Sequence, residues 1–114
     1  MLRFVILEHD WPEPHFDLFL EAGEALQAWK LPALFSPDFS DTVIRSASHR
    51  RHYLDYEGAV SGGRGVVRRW DSGEFAWLVE DPDLLRACFF GQLLTGTYEW
   101  RKGEVGGWTF RRVT

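Results

Sequence analysis

The chain has 114 residues, of which 45% are hydrophobic and 26% charged, and its formal net charge is −4. This composition excludes wholesale disorder, and the length suits one hydrophobic core, so we predict a single domain over residues 1–114. The acidic balance argues against a protein that coats nucleic acid by charge alone.

Short apolar runs alternate with turn signals along the whole chain. Aromatic residues make up 16% of the sequence and there are 11 glycines, a mixture that favours strands and tight turns. We predict strands over residues 2–7, 16–20, 25–31, 42–47, 65–70, 74–79, 89–94, 97–101 and 108–112, with 102–107 as a hairpin loop. The predicted fold is mainly β: a small closed or nearly closed barrel of about eight strands with one or two short helices.

The clearest helix signal covers residues 81–87. Asp81 can cap a helix and Pro82 suits its first position, so we predict about two helical turns here.

The sequence also predicts a compartment. No run approaches the roughly 20 apolar residues of a membrane span, and early acids at Glu8 and Asp10 do not fit a signal peptide. Cys88 is the single cysteine, which excludes an internal disulfide framework. We therefore expect a cytoplasmic protein without membrane association, monomeric by default.

Two histidines and an aspartate lie between the first two predicted strands and on the second. Side chains alternate along a strand, so His15, Asp17 and Phe19 share one face, opposite the apolar face that includes Phe16. His9 ends the preceding strand, and the proline-containing loop can return the chain beside it. Two imidazoles and a carboxylate with open positions suit zinc, manganese or iron in a catalytic role. The alternative is a surface strand with incidental histidines.

A second polar cluster occupies residues 48–58. His49, Arg50, Arg51 and Tyr53 supply imidazole, guanidinium and phenol donors within a few residues, and such donors suit a phosphate. The alternative is an exposed polar turn.

Together the two clusters resemble the 3′-phosphoesterase domain found in bacterial DNA ligase D and as stand-alone bacterial and archaeal proteins. The resemblance runs from Phe4 to about Arg112, and it rests on the order and spacing of several motifs. These are His9 and His15-x-Asp17; Trp29-x-x-Pro32; His49, Tyr53 and Tyr56-Glu57-Gly58; Trp70-Asp71-Ser72-Gly73; and Leu94-x-Gly96-x-Tyr98.

The resemblance implies a β-barrel whose lumen holds the site. It implies that His9, His15 and Asp17 bind a divalent metal, usually manganese, with zinc or another divalent ion as alternatives. It also implies that His49 and Tyr53 contact the scissile phosphate as catalytic residues. Members of the family remove a 3′-phosphate or a terminal ribonucleotide from DNA ends before ligation, so DNA 3′ ends and a separate DNA ligase are the expected partners.

Three positions that are basic in the family are not basic here: they are Phe19, Ala33 and Asp41. Loss of a charged donor to phosphate should weaken transition-state binding by several kcal/mol. We expect Phe19 to point into the open lumen, where an arginine would be tolerated. Four arginines are the candidate substitutes for binding substrate: Arg45, Arg50, Arg51 and Arg64.

Three functions fit these observations. The first is an active phosphoesterase on nucleic-acid 3′ ends, with relocated arginines. The second is a non-catalytic or redirected metal-binding barrel that binds nucleic acid, a phosphorylated ligand or a protein. The third uses His15, Asp17 and His49 as the two-histidine, one-carboxylate triad of a non-haem iron oxygenase, but it leaves His9 unexplained.

Overall fold

The computed structural model describes residues 1–114 and shows an antiparallel β-barrel. The strands are β1 (Leu2–His9), β2 (His15–Ala22), β3 (Ala25–Pro32), β4 (Ser40–Arg50), β5 (Gly58–Ala59), β6 (Val66–Asp81), β7 (Leu84–Phe90), β8 (Thr95–Lys102) and β9 (Trp108–Arg112). Their order is β1-β2-β3-β4-β9-β8-β7-β6-β5, and β6 also pairs with β1. That pairing closes eight strands into a barrel and confirms the predicted fold class.

Helical structure is limited to one 3₁₀ turn, Arg51–Leu54. No helix is long and apolar enough to cross a membrane. The predicted helix over residues 81–87 is wrong: Asp81 and Leu84 are paired across the hairpin between β6 and β7, with Pro82 and Asp83 as its turn. Proline and aspartate suit a tight turn as well as a helix start. The residues after the turn alternate between the barrel interior and its outer face, which is the pattern of a strand.

Strand β6 closes the barrel because it is long enough to serve two neighbours. It pairs with β1 along its first part and with β7 along its last part. The sequence analysis predicted two separate strands here, 65–70 and 74–79, but β6 continues through residues 71–73, so that prediction is wrong. The predicted strand over 89–94 is also wrong, because β7 ends at Phe90. Asp71, only 6% exposed, accepts hydrogen bonds from three backbone N–H groups of residues 92–94. A Cβ on Gly73 would lie 2.5 Å from the Phe90 carbonyl oxygen, so glycine permits this close approach.

The barrel interior is a packed apolar core. It contains buried residues from all eight barrel strands: Phe4, Leu18, Trp29, Val43, Phe75, Phe89, Tyr98 and Phe110 are one from each. Trp29 is fully buried, and Trp70 packs against the same core, which confirms the structural role predicted for both. Because large side chains fill the interior, the expectation of a site in the lumen is wrong.

A second apolar cluster lies on the outer face of β1, β2 and β3. It comprises Val5, Leu7, Phe19, Leu26, Ala28, Leu54 and Val67, with Tyr53, Tyr56 and Val60 packed against it. The cover comes from residues 51–65, which cross this face between β4 and β6. Arg3 donates to Asp55 at 2.6 Å and Arg51 pairs with Glu21 at 2.6 Å, so ion pairs join the covering segment to the barrel wall.

Candidate metal centre

The antiparallel register of β1 and β2 brings the two histidines and the aspartate together. His9 is paired directly with His15, and Leu7 is paired with Asp17. Asp17 alternates with Leu18, which faces the core, so the imidazoles and the carboxylate lie on the outer face of the barrel. One ligand atom from each residue lies within 4.8 Å of the other two. Such a group is compact enough to meet at one ion.

Hydrogen bonds fix the orientation of both imidazoles. His9 Nε2 donates to the Arg64 carbonyl oxygen at 2.8 Å, and His15 Nδ1 donates to the Glu13 carbonyl oxygen at 2.8 Å. A carbonyl oxygen can only accept, so in each neutral ring the remaining nitrogen carries a lone pair. Those nitrogens, His9 Nδ1 and His15 Nε2, each lie 3.1 Å from an oxygen of Asp17.

This arrangement fits a divalent cation. Two lone pairs aimed at one carboxylate repel unless protons or a cation lie between them. All three side chains are at most 14% exposed, so water screens them little. In histidine metal sites the ring nitrogen that does not bind the metal usually donates to a backbone carbonyl or a carboxylate, as both rings do here. His9 Nδ1, His15 Nε2 and the Asp17 carboxylate are thus the atoms that would hold an ion, and His9 rather than His49 completes the group.

A pocket of about 250 Å³ opens beside these three residues. Three of the chain's four histidines line it, and His49 and Tyr53 line it together with the candidate metal ligands. The rest of its wall includes Trp11, Phe19, Lys30, Ser46 and Arg64. The structure therefore brings the two polar clusters of the sequence into one cavity.

His49 and Tyr53 both pack against Phe19. His49 Nδ1 donates to the Ala47 carbonyl oxygen at 2.9 Å, which leaves Nε2 without a protein partner. The rings of His49 and Tyr53 lie 4.8 and 5.7 Å from the Phe19 ring, centroid to centroid. The Tyr53 side chain makes no hydrogen bond within the protein, so its hydroxyl is available to donate.

Phe19 is not in an open lumen. It lies on the same face as His15 and Asp17, as predicted, but it is only 2% exposed and belongs to the outer apolar cluster. The expectation of an open lumen around Phe19 is therefore wrong, and because the ring packs against His49 and Tyr53, we predict that a guanidinium here would disturb both.

The four candidate arginines do not all reach the pocket. Arg64 lines it, although its guanidinium donates to the Ser61 backbone and side chain. Arg51 is engaged by Glu21 and by the Gly23 carbonyl oxygen. Two others lie elsewhere: Arg45 stacks over the Trp29 ring at 5.4 Å, and exposed Arg50 is paired with Ala25.

The sequence analysis missed Lys30, a cation that the structure places in the pocket wall. Lys30 is paired with Asp17 across β2 and β3. The hairpin register could have predicted this pairing. The turn at Gly23 and Glu24 pairs Ala22 with Ala25, and counting away from the turn along both strands puts Lys30 opposite Asp17.

Local electrostatics favour a fixed covering segment. The Arg51 guanidinium and the Arg3 backbone N–H lower the pKa of Glu21 below its ordinary value of 4.5. The Arg3 guanidinium likewise lowers the pKa of Asp55. Both carboxylates are thus charged at neutral pH and hold the segment that supplies Tyr53.

Comparison with known proteins identifies the family of the chain. Curated proteins give no match to the chain. The family model described as "DNA Ligase D 3'-phosphoesterase domain" matches residues 7–105, which include every residue of the candidate centre. The chain belongs to the DNA ligase D 3′-phosphoesterase domain family.

Proposed function

We propose that this protein is a divalent-metal-dependent phosphoesterase that heals nucleic-acid 3′ ends, by removing a 3′-phosphate or a 3′-terminal ribonucleotide. The observation that carries the proposal is the pair of lone-pair nitrogens facing the Asp17 carboxylate beside a pocket that holds His49 and Tyr53. Family membership supplies the reaction class. Manganese is the metal to test first, with zinc as the comparison.

In this proposal water attacks the phosphorus while the bond to the 3′-oxygen breaks, and the metal would neutralise charge on a phosphoryl oxygen. His9, His15 and Asp17 would hold the ion, and backbone carbonyls keep the two imidazoles oriented. The Tyr53 hydroxyl donates a hydrogen bond to a phosphate oxygen, which adds a fixed dipole where negative charge develops.

His49 serves in proton transfer or braces the phosphate. Its Nδ1–H is committed to the Ala47 carbonyl, so any proton that it exchanges with substrate resides on Nε2. When protonated at Nε2, the imidazolium can donate to the departing 3′-oxygen.

The decisive assay uses a DNA primer-template that ends in a 3′-phosphate, incubated with the full chain and Mn²⁺. We expect release of inorganic phosphate and a 3′-hydroxyl that a separate DNA ligase can seal once a 5′-phosphorylated strand is annealed beside it. Asp17→Asn, prepared in parallel, excludes a contaminating phosphatase. Equal release by Asp17→Asn, or none with Mn²⁺, Zn²⁺ or Co²⁺, would overturn the proposal.

A second candidate is a metal-binding barrel that binds a phosphorylated ligand without turning it over. Phe19 favours it, because the pocket lacks a donor where the family has an arginine, and Ala33 and Asp41 add none. Phosphate binding with no release of phosphate from the same DNA end would select this function.

A further inference from the structure

Lys30 is the positively charged residue of the pocket with the fewest ion pairs and hydrogen bonds to the protein. The chain has two lysines, Lys30 and Lys102. The half-buried Lys30 lines the candidate pocket and also the adjoining groove beside Glu13 and His15. Its ammonium forms no ion pair within 4.0 Å and no hydrogen bond with the protein, whereas Arg51 and Arg64 are both engaged by protein groups. Lys30 is thus free to hold an anion at the pocket.

The position of Lys30 relative to the metal ligands is set by the sheet. Paired residues in antiparallel strands have Cβ atoms roughly 5 Å apart, so Lys30 and Asp17 emerge side by side on the outer face. Both oxygens of Asp17 face imidazole nitrogens. The ammonium can therefore reach an anion bound next to the ligand group without competing for that carboxylate.

Trp11 presents a large aromatic surface at the rim of the same pocket. Its side chain lines the cavity, yet the residue is 43% exposed. The neighbouring backbone is held: Asp10 Oδ1 accepts the Val66 N–H at 2.8 Å. Gly65 lies so close that a Cβ there would be 2.6 Å from the Trp11 Cβ. An exposed indole on a fixed backbone suits stacking, which tolerates any nucleobase.

We infer that the pocket recognises the terminal nucleotide as a unit, with Lys30 binding its 3′-phosphate and Trp11 stacking on its base. This inference rests on the proposed function, and it assigns to two residues of this chain the recognition of the phosphate and of the base. Lys30 replaces the charge that Phe19 cannot supply, from the neighbouring strand.

The test measures recognition of the phosphate and recognition of the nucleoside separately. Calorimetry with Mn²⁺ present measures binding of inorganic phosphate and of a nucleoside carrying a 3′-methylenephosphonate, whose C–P bond is not hydrolysed. Lys30→Gln should weaken both ligands by about 10-fold or more, and Lys30→Arg should restore most of the affinity. Trp11→Ala should weaken only the nucleoside phosphonate, by about 10-fold, and Trp11→Phe should retain most of its binding.

Lys102→Gln is the matched control, since Lys102 is the other lysine and lies near Trp108, outside the pocket. It should bind both ligands as the wild type does. Wild-type phosphate affinity in Lys30→Gln, or wild-type nucleoside affinity in Trp11→Ala, would overturn the inference.

Mn²⁺ binding is measured first in every variant. A wild type that binds no Mn²⁺ overturns the proposed function and the inference with it. Variants that bind Mn²⁺ normally and show unchanged affinities overturn the inference alone.

Discussion

Two carboxylates on the outside of the barrel, Asp17 and Glu99, meet very different neighbours. Glu99 is 3% exposed and pairs with guanidinium groups of Arg86, Arg101 and Arg111 at 2.6, 3.2 and 3.8 Å. The protein therefore satisfies its charge. Asp17 faces two imidazole nitrogens whose opposite edges already donate to backbone carbonyls. No arginine or lysine pairs with Asp17, and its neighbours, unlike those of Glu99, are groups that could hold a cation.

The largest expected effect comes from Asp17→Asn. Loss of a charged metal ligand should reduce metal-dependent phosphate release by on the order of 1,000-fold or more, because charge stabilisation at the phosphoryl group is lost. The free energy of unfolding without metal should change by less than about 1 kcal/mol, since the carboxylate makes no ion pair with lysine or arginine. Phosphate-release kinetics and urea unfolding measure the two effects. A comparable loss of phosphate release in Glu99→Gln would show that the two carboxylates do not differ in function.

Phe19→Arg should destabilise the fold by about 3 kcal/mol. The ring is almost fully buried among Val5, Leu26 and other apolar residues, and a guanidinium there loses packing and hydration. Urea unfolding measures the cost, with the exposed Leu34→Arg as the matched control. A Phe19→Arg protein that is as stable as the wild type and more active would show that the outer cluster opens easily.

Glu99→Gln should lower the free energy of unfolding by about 1–2 kcal/mol and leave Mn²⁺ binding unchanged. Its arginine partners remain partly exposed, so water replaces much of the lost interaction. Thermal and urea unfolding give the first value, and a metal titration gives the second. Altered Mn²⁺ affinity would mean that the two faces of the barrel are coupled.

The smallest effect is on the pH dependence of stability. Hydrogen bonds from Arg86 hold the pKa of Glu99 below its ordinary value of 4.5. A lowered folded-state pKa adds stability that is fully present above pH 4.5 and is lost as the pH falls through the folded value. Unfolding free energies measured from pH 6 to 3 should therefore decline in the wild type and decline less steeply in Glu99→Gln. Unfolding free energies that fall equally with pH in the wild type and Glu99→Gln would contradict a lowered pKa of Glu99.

The faces of β2 could be predicted from sequence, including the core face that Leu18 and Leu20 share, but the cover over the opposite face could not. Alternation of Leu18 and Leu20 with Asp17 and Phe19 correctly separated two faces. Both faces are buried, however, and the cover over Phe19 comes from residues 51–65, far away in the chain. Local periodicity contains no information about such a nonlocal cover.

Two further differences have local causes. Pro82 and Asp83 fit a hairpin turn as well as a helix start, and only the alternation that follows distinguishes them. Asp71 and Gly73 look like a turn, yet they lie within β6 because Asp71 binds the loop after β7. Lys30, by contrast, could have been found by counting the register from the preceding hairpin.

The most direct test of the central claim is a titration of Mn²⁺ into the wild type and Asp17→Asn, followed by the electron paramagnetic resonance signal of the free ion. We predict that the wild type binds about one ion per chain at this centre, and that Asp17→Asn weakens binding by on the order of 100-fold or more. Glu99→Gln should match the wild type. Absence of binding in the wild type, or equal binding in Asp17→Asn, would contradict a metal centre at His9, His15 and Asp17.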